Sequence, residues 1–247
     1  MNDEPTAFIF DVDGTLTPSR SLIDPVFEAW FVDFCTHNDV YIVTGSDRTK
    51  TLEQIHGTLY DLIVKVYQCS GNNVWIKDVE IECNEWVLGD EEREFLNAKL
   101  EESEFSIKTG MHIEDRPGMA NFSIVGRGAT VEDRAAYVEY EFVHKERKLI
   151  AEAFNFKFKE SGITAHVAGE TGLDILPNGK DKGQIIHDFD EQTIYFFGDR
   201  MEEGGNDAPL KQAIIGRRNT SDKCFTVEGW EHTWNLLQEL SKQGLCY

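Results

Sequence analysis

The chain has 247 residues, of which 40% are hydrophobic and 11% aromatic, and its formal net charge is −21. That length and apolar content suit one large or two small globular domains and exclude a disordered chain. So acidic a surface repels nucleic acid and anionic membranes; no apolar run approaches a membrane span, and the polar start Met1-Asn2-Asp3-Glu4-Pro5 is unlike a signal peptide.

Residues 7–10 form the first expected strand, an apolar segment that runs into Asp11-Val12-Asp13-Gly14-Thr15. Asp24-Pro25 reads as a helix start, with Asp at the cap and Pro in the first turn. Val26, Phe27, Trp30, Phe31 and Phe34 follow at helical spacing and give one apolar face. Residues 40–43 form a second strand ending in Thr44-Gly45-Ser46-Asp47, and residues 62–67 a third. Strands alternating with helices predict right-handed βαβ units and a parallel sheet.

From about Trp75 to Leu176 this rhythm is lost. Residues 90–102 read as a charged helix. Residues 111–115 and 120–125 alternate in polarity around Pro117-Gly118, the pattern of an antiparallel hairpin. Residues 130–159 form a long, charged helical region, and 169–176 another strand. Residues 194–197 return to a short buried strand before Gly198-Asp199, and Trp230, Trp234, Leu237 and Leu240 mark a last amphipathic helix. The fold class expected is α/β: a doubly wound, mostly parallel, Rossmann-like core (1–77 and 183–247) with an inserted α+β domain (78–182) that contains an antiparallel sheet.

Cys35, Cys69, Cys83, Cys224 and Cys246 are odd in number and lack paired metal spacing, so they read as thiols in a reducing compartment. The seven His show no two-His helical zinc pattern.

Two carboxylates one residue apart, at the carboxyl end of a buried strand and followed by a glycine turn, suit phosphoryl transfer. Open parallel sheets bind ligands at that end. Asp11 is the candidate nucleophile, and Asp13 the group that protonates the leaving oxygen and later takes a proton back. Asp199, after a later strand, can complete a magnesium site with Asp11, and Asp207 in Gly204-Gly205-Asn206-Asp207 adds a further carboxylate. Lys182 can neutralise the phosphoryl oxygens, and Ser46 can hydrogen-bond them. In the inserted segment, Arg116, Arg127 and Arg134 concentrate positive charge near one hairpin and the start of the next helix. His112, Glu114 and Arg116 should share one face, opposite Met111 and Ile113. A guanidinium fork matches phosphate; the plainer alternative is surface ion pairing among the abundant Glu and Asp.

The set Asp11-Val12-Asp13-Gly14-Thr15, Thr44-Gly45-Ser46, Lys182 and Gly198-Asp199 with Asn206-Asp207 resembles the four motifs of the haloacid dehalogenase superfamily of phosphotransferases. The insertion after the second motif resembles the subclass with a large mobile cap, which implies a cap that closes and excludes water. Glu114-Asp115-Arg116-Pro117-Gly118-Met119-Ala120-Asn121, then Gly126-Arg127, then Glu132-Asp133-Arg134, is similar to the cap of the eukaryotic-type phosphomannomutases (Phe-Arg-Asn-Gly-Met-x-Asn, Gly-Arg, Glu-Glu-Arg). Gly172-Leu173-Asp174-Ile175-Leu176-Pro177, leading to Asp181-Lys182, and Tyr195-Phe196-Phe197-Gly198-Asp199 extend the resemblance over nearly the whole chain.

The resemblance implies Asp11 as phosphorylated nucleophile and Asp13 as acid/base. It implies Mg2+ on Asp11, the Asp13 main-chain carbonyl and Asp199, with Asp207 nearby. Arg116, Arg127 and Arg134 would hold the distal phosphate, while Asn121 and Asp174 would contact the sugar or its phosphate. It further implies a hexose phosphate substrate, a hexose 1,6-bisphosphate activator, a cytoplasmic location and a homodimer formed through the cap. Departures touch sugar selectivity more than phosphoryl chemistry. Gly172 replaces a contacting Ser, Pro117 an Asn, Lys180 a Trp and Gly183 an Arg, and the Pro before Ile-Gly-Arg is missing. The leading reading is a mannose phosphomutase, because a mutase must hold two phosphates in either orientation. A sugar-phosphate phosphatase, with water taking the phosphoryl group, is the second. A catalytically inactive sugar-phosphate-binding protein is the third, against which the intact Asp11, Asp13, Lys182 and Asp199 argue.

Overall fold

The computed structural model describes residues 5–190 and 192–246. β1 (Thr6–Phe10) is buried after its first residue and is followed by α1 (Pro25–His37). Asp24 caps that helix, with its Oδ1 accepting from Val26 N at 2.9 Å and Phe27 N at 3.1 Å, and Pro25 fills the first turn where no amide donor is needed. The buried face of α1 is aromatic: Phe31 meets Phe10 edge-on at 5.3 Å, and Phe34 meets Phe8 at 5.1 Å. β2 (Asp39–Val43) leads to α2 (Arg48–Gln54), capped by the Asp47 carboxylate, and then to α3 (Gly57–Leu62) and β3 (Lys65–Gln68). β4 (Asn73–Ile76) and β5 (Val79–Cys83) complete this stretch as an antiparallel hairpin on β3.

The inserted unit starts with α4 (Asp90–Glu102). β6 (Ile113–Arg116) and β7 (Met119–Phe122) form a hairpin with Arg116 opposite Met119, so Pro117-Gly118 is a two-residue turn, and Gly118 supplies its positive φ of 67°. α5 (Val131–His144) and α6 (Glu146–Lys157) follow, then β8 (Ile163–Ala168) and β9 (Gly172–Pro177). The four strands form an antiparallel sheet in the order β6-β7-β9-β8. The helices cover it through Tyr137, Ile150 and Phe154, which join Phe122, Leu173 and Ile175 in a separate core.

The chain re-enters the first sheet through a 3-10 helix (Lys182–Phe189), β10 (Thr193–Gly198), α7 (Ala208–Gly216), β11 (Lys223–Thr226) and α8 (Trp230–Lys242). The main sheet has seven strands in the order β11-β10-β1-β2-β3-β4-β5, parallel from β11 to β3. Apolar groups cover both of its faces, as a parallel sheet requires. The architecture is α/β with a mixed, mostly parallel main sheet and a separate four-stranded antiparallel sheet.

Two compact units result: the chain up to Cys83 with Asp181–Glu203 and the chain from Asp207, and Asn84–Lys180 with Gly204–Asn206. The insertion expected from the sequence was 78–182. The difference is physical: β5 pairs with β4 and so belongs to the main sheet, and Lys182 belongs to the unit of Asp11. Other elements also differ from expectation. Residues 62–67 split into the end of α3 and β3. Residues 130–159 are two helices, broken at Lys145, where φ is +53°. The strand expected at 169–176 begins at Gly172, because Gly169 turns with φ +51°. β4, β5, β8 and β11 were not anticipated; β5 is short, alternates Val and Ile with Glu, and is exposed throughout.

Phe31 is fully buried against Phe10, Phe27 and Phe34. Phe31→Ala should therefore cost about 3–5 kcal/mol of stability, read from the urea midpoint; a loss under about 1 kcal/mol would show that α1 is not fixed by this aromatic face.

Candidate active site

In the main-sheet unit, β1 delivers Asp11 to the carboxyl edge of the sheet, and the Asp11 amide still donates to Phe197 O at 3.0 Å. The chain then wraps tightly: the amides of Thr15, Leu16 and Thr17 all donate to Val12 O, at 3.2, 2.9 and 3.1 Å. Gly14 makes this possible with φ +79°, and a Cβ there would lie 2.6 Å from Asp199 Oδ2. At Gly198, which ends β10, a Cβ would lie 2.5 Å from Asp207 Oδ2. Both positions need glycine because carboxylates approach the backbone closely.

Lys182 is wholly buried at the start of the 3-10 helix, whose cap is the Asp181 carboxylate. Its ammonium donates to Asp11 Oδ1 at 2.6 Å and to Asp207 Oδ1 at 2.7 Å. Asp207 Oδ2 also accepts from Arg200 N at 3.0 Å. Oxygens of Asp11, Asp199 and Asp207 lie within 4.8 Å of one another. Burial pushes the Asp11 carboxyl well above its ordinary value; Lys182 opposes this, while Asp207 and Asp199 add to it. Burial first, then Asp207, pushes Asp199 up to about 6. Burial disfavours the Lys182 charge, but Asp11 and Asp207 outweigh it and keep the ammonium charged. Asp11 and Asp207 thus share one buried ammonium, while Asp199 faces the half-exposed Arg200 guanidinium at 3.5 Å. An all-oxygen set of this kind fits a hard divalent cation.

Asp13 lies beside this group with different partners. Its Oδ1 accepts from Arg20 N at 2.7 Å and Gln54 Nε2 at 2.9 Å, and its Oδ2 is 3.5 Å from Ser46 Oγ. The Asp13 carboxylate is not one of the three that cluster. Sequence reading missed Gln54 and Arg20. Arg20 carries one signal only after folding, a positive φ of 55° in the loop before α1.

In the inserted unit, Glu114 is the hub. Its Oε2 accepts from Arg116 Nε at 2.9 Å and pairs with Arg127 Nη2 at 2.6 Å. Arg127 also donates to Asn121 Oδ1 at 2.5 Å, and Asn121 Nδ2 donates to Asp174 Oδ1 at 2.6 Å. Arg116, Arg127, Asn121 and Asp174 are therefore joined through side chains on β6, β7 and β9 and in the loop after β7. Arg134, on α5, instead pairs with Glu170 at 3.2 Å, while its buried Nη1 has no hydrogen-bond partner among the described residues. Sequence reading gave Glu114 only a place on the Arg116 face; its bridge to Arg127 depends on how the loop after β7 folds back. A Cβ at Gly172 would lie 2.8 Å from Asn121 Nδ2, so glycine there leaves room for Asn121 as it stands.

The family model for eukaryotic phosphomannomutases matches residues 28–242. A probable phosphomannomutase of Caenorhabditis elegans is 32% identical, over 95% of this chain and 96% of its own length. A phosphomannomutase of Spinacia oleracea is 35% identical, over 86% of this chain and 90% of its own. Among solved structures, an IMP-bound IMP-nucleotidase mutant of Plasmodium falciparum is similar with a TM-score of 0.66 at 13% identity, over 98% of this chain and 69% of that one. Trehalose-6-phosphate phosphatase of Aspergillus fumigatus is similar with a TM-score of 0.53 at 16% identity, over 97% of this chain and 93% of that one. These last two likenesses show a shared fold and nothing finer.

Lys182→Met should destabilise the fold by about 3–5 kcal/mol, because it strands buried carboxylates; chemical denaturation measures this, and a neutral result would mean that the carboxylates do not need the ammonium. An Asp199 carboxyl held at about 6 when folded, against an ordinary 3.8, binds its proton more tightly in the native state. Its contribution to stability is then full below pH ~4 and is lost as pH rises through about 6. Denaturation midpoints at a series of pH values should show this fall in EDTA, its reversal by magnesium above pH ~6, and its absence in Asp199→Asn. Identical pH profiles for the two proteins would overturn the assignment.

Proposed function

Because the chain belongs to the eukaryotic phosphomannomutase family, we propose that it interconverts mannose 6-phosphate and mannose 1-phosphate through phosphorylated Asp11 and a hexose 1,6-bisphosphate. The observation that carries this reading is the buried Asp11–Lys182–Asp207 arrangement in a chain that also holds an arginine network on its second sheet. A mutase needs both a reacting phosphate site and a site for the other phosphate.

In this mechanism Asp11 attacks phosphorus while Lys182 holds its other oxygen and offsets the charge. Asp13 gives a proton to the departing sugar oxygen and takes one from the sugar hydroxyl that later accepts the phosphoryl group. Ser46 hydrogen-bonds the phosphoryl oxygens. Mg2+, held by Asp11, Asp199, Asp207 and the Asp13 carbonyl, supplies counter-charge for those oxygens when bound. Arg116, Arg127 and Arg134 bind the distal phosphate, which exchanges for the Glu114 carboxylate on Arg116 and Arg127; Asn121 and Asp174 orient the sugar. Hexose 1,6-bisphosphate activates by loading Asp11.

One observation favours the second reading, a sugar-phosphate phosphatase: Glu114 already engages two of the three arginines. A cytoplasmic location follows the family resemblance; the described cysteines are free thiols, and no helix among the described residues is long and apolar enough to cross a membrane. A homodimer through the inserted unit is supported by Val131, Val138 and Phe142, exposed along one side of α5.

With mannose 1-phosphate, magnesium and a trace of glucose 1,6-bisphosphate, the protein should form mannose 6-phosphate in a bisphosphate-dependent way with little free phosphate. Mainly free phosphate would replace the mutase reading with the phosphatase one. Arg127→Ala should lower mutase turnover by at least about a hundredfold, as expected for losing a charged contact to a dianion, and Asp11→Asn should abolish it; retained turnover in either refutes that residue's role. Phe142→Glu should convert a dimer to a monomer in size-exclusion chromatography with light scattering; a wild-type monomer would refute the dimer.

A further inference from the structure

We propose that Gln54 is a positioning residue for phosphoryl transfer, which fixes the oxygen of Asp13 that carries the transferable proton. The proposal rests on the acid/base reading of Asp13 given above. Gln54 is the last residue of α2 and is 4% exposed. Its Nε2 donates to Asp13 Oδ1 at 2.9 Å and to Thr17 Oγ1 at 3.0 Å. The Arg20 amide donates to the same Oδ1 at 2.7 Å. An oxygen that accepts two N–H donors is poorly placed to hold a proton of its own.

The other oxygen, Oδ2, meets Ser46 Oγ at 3.5 Å, the long limit of a hydrogen bond. Oδ2 is therefore the oxygen that carries the proton. When the bond from Asp11 to phosphorus forms and the bond from phosphorus to the ester oxygen breaks, the Oδ2 proton moves to that departing oxygen. In the reverse sense Oδ2 takes a proton from the attacking hydroxyl. Gln54 touches neither the phosphate nor the reacting bond in this account; it acts through the orientation of Asp13.

The helix that carries Gln54 makes the arrangement rigid. α2 is capped at one end by Asp47, whose Oδ1 accepts from Lys50 N at 3.0 Å, directly after Ser46. At the other end Gln54 O accepts from Ile23 N at 3.0 Å, which ties the helix to the segment before α1. One seven-residue helix thus spans from the Ser46 loop to the Asp13 turn. A purely structural role for Gln54 would run through Thr17 and the turn alone, and the two roles separate by leaving group. A sugar alkoxide needs its proton in the transition state, whereas p-nitrophenolate leaves without one.

The test compares Gln54→Met, which keeps volume but removes the donor, with wild type on mannose 1-phosphate with a trace of glucose 1,6-bisphosphate and on p-nitrophenyl phosphate, both with magnesium. Turnover of the sugar phosphate is counted as mannose 6-phosphate plus free phosphate, so mutase and phosphatase count alike. General acid help is typically worth about 10²–10⁴-fold, so kcat/KM for mannose 1-phosphate should fall at least about tenfold further than that for p-nitrophenyl phosphate. Unfolded protein lowers both rates equally and leaves their ratio untouched. Thr17→Val, which removes the Gln54–Thr17 bond and leaves the Gln54–Asp13 donor in place, should shift the two substrates together. Equal losses in Gln54→Met, or no loss, overturn the proposal while leaving the phosphoryl-transfer reading in place. Wild-type protein that turns over neither ester would refute that reading itself.

Discussion

The main-sheet site depends on one buried ammonium. Lys182 is held between Asp11, at the end of β1, and Asp207, at the start of α7. A buried charge without a partner costs several kcal/mol, so these groups stabilise the fold only together. Asp11 and Lys182 are 171 residues apart in sequence, with the whole second sheet between them. The insertion therefore has to leave and re-enter the main-sheet unit at points that let β1 and the 3-10 helix keep this contact. The ammonium also holds one oxygen of the candidate nucleophile in a fixed place.

The rest of that site follows from crowding. Gly14 and Gly198 have no Cβ, so the carboxylates of Asp199 and Asp207 can sit against the backbone at distances that a side chain would forbid. Burial first, and then the neighbouring carboxylates, raise the Asp11 and Asp199 carboxyls. An all-oxygen set of this kind fits a hard divalent cation.

The second sheet solves a different problem. A chain of net charge −21 repels a phosphorylated sugar at long range, so cationic groups must be local and held in place. β6 and the loop after β7 supply Arg116 and Arg127, and Glu114 keeps both guanidinium groups oriented. The carboxylate that organises them also weakens the field that an incoming anion meets. Such a compromise suits a ligand that has to be released and turned round. On α5, Arg134 pairs with Glu170, and its buried Nη1 has no hydrogen-bond partner among the described residues.

Much of this was legible in the amino-acid order. Local rules found β1, α1 with its Asp24 cap, α4 and the Pro117-Gly118 hairpin, since periodicity, caps and turn residues act over a few positions. The order of Asp11, Lys182, Asp199 and Asp207 after successive strands marked the groups that the fold brings together. The short, exposed alternation of β5 and the break at Lys145 were not legible, because strand pairing and a single αL residue are decided by neighbours far along the chain. By itself the sequence determined the residue types, their order after the strands and the acidic balance. Only the tertiary structure decided which atoms meet: Lys182 with both Asp11 and Asp207, Gln54 with one oxygen of Asp13, and Glu114 with two arginines. Hydrogen bonds and ion pairs act within about 3–4 Å, a range that chain folding sets and residue spacing does not.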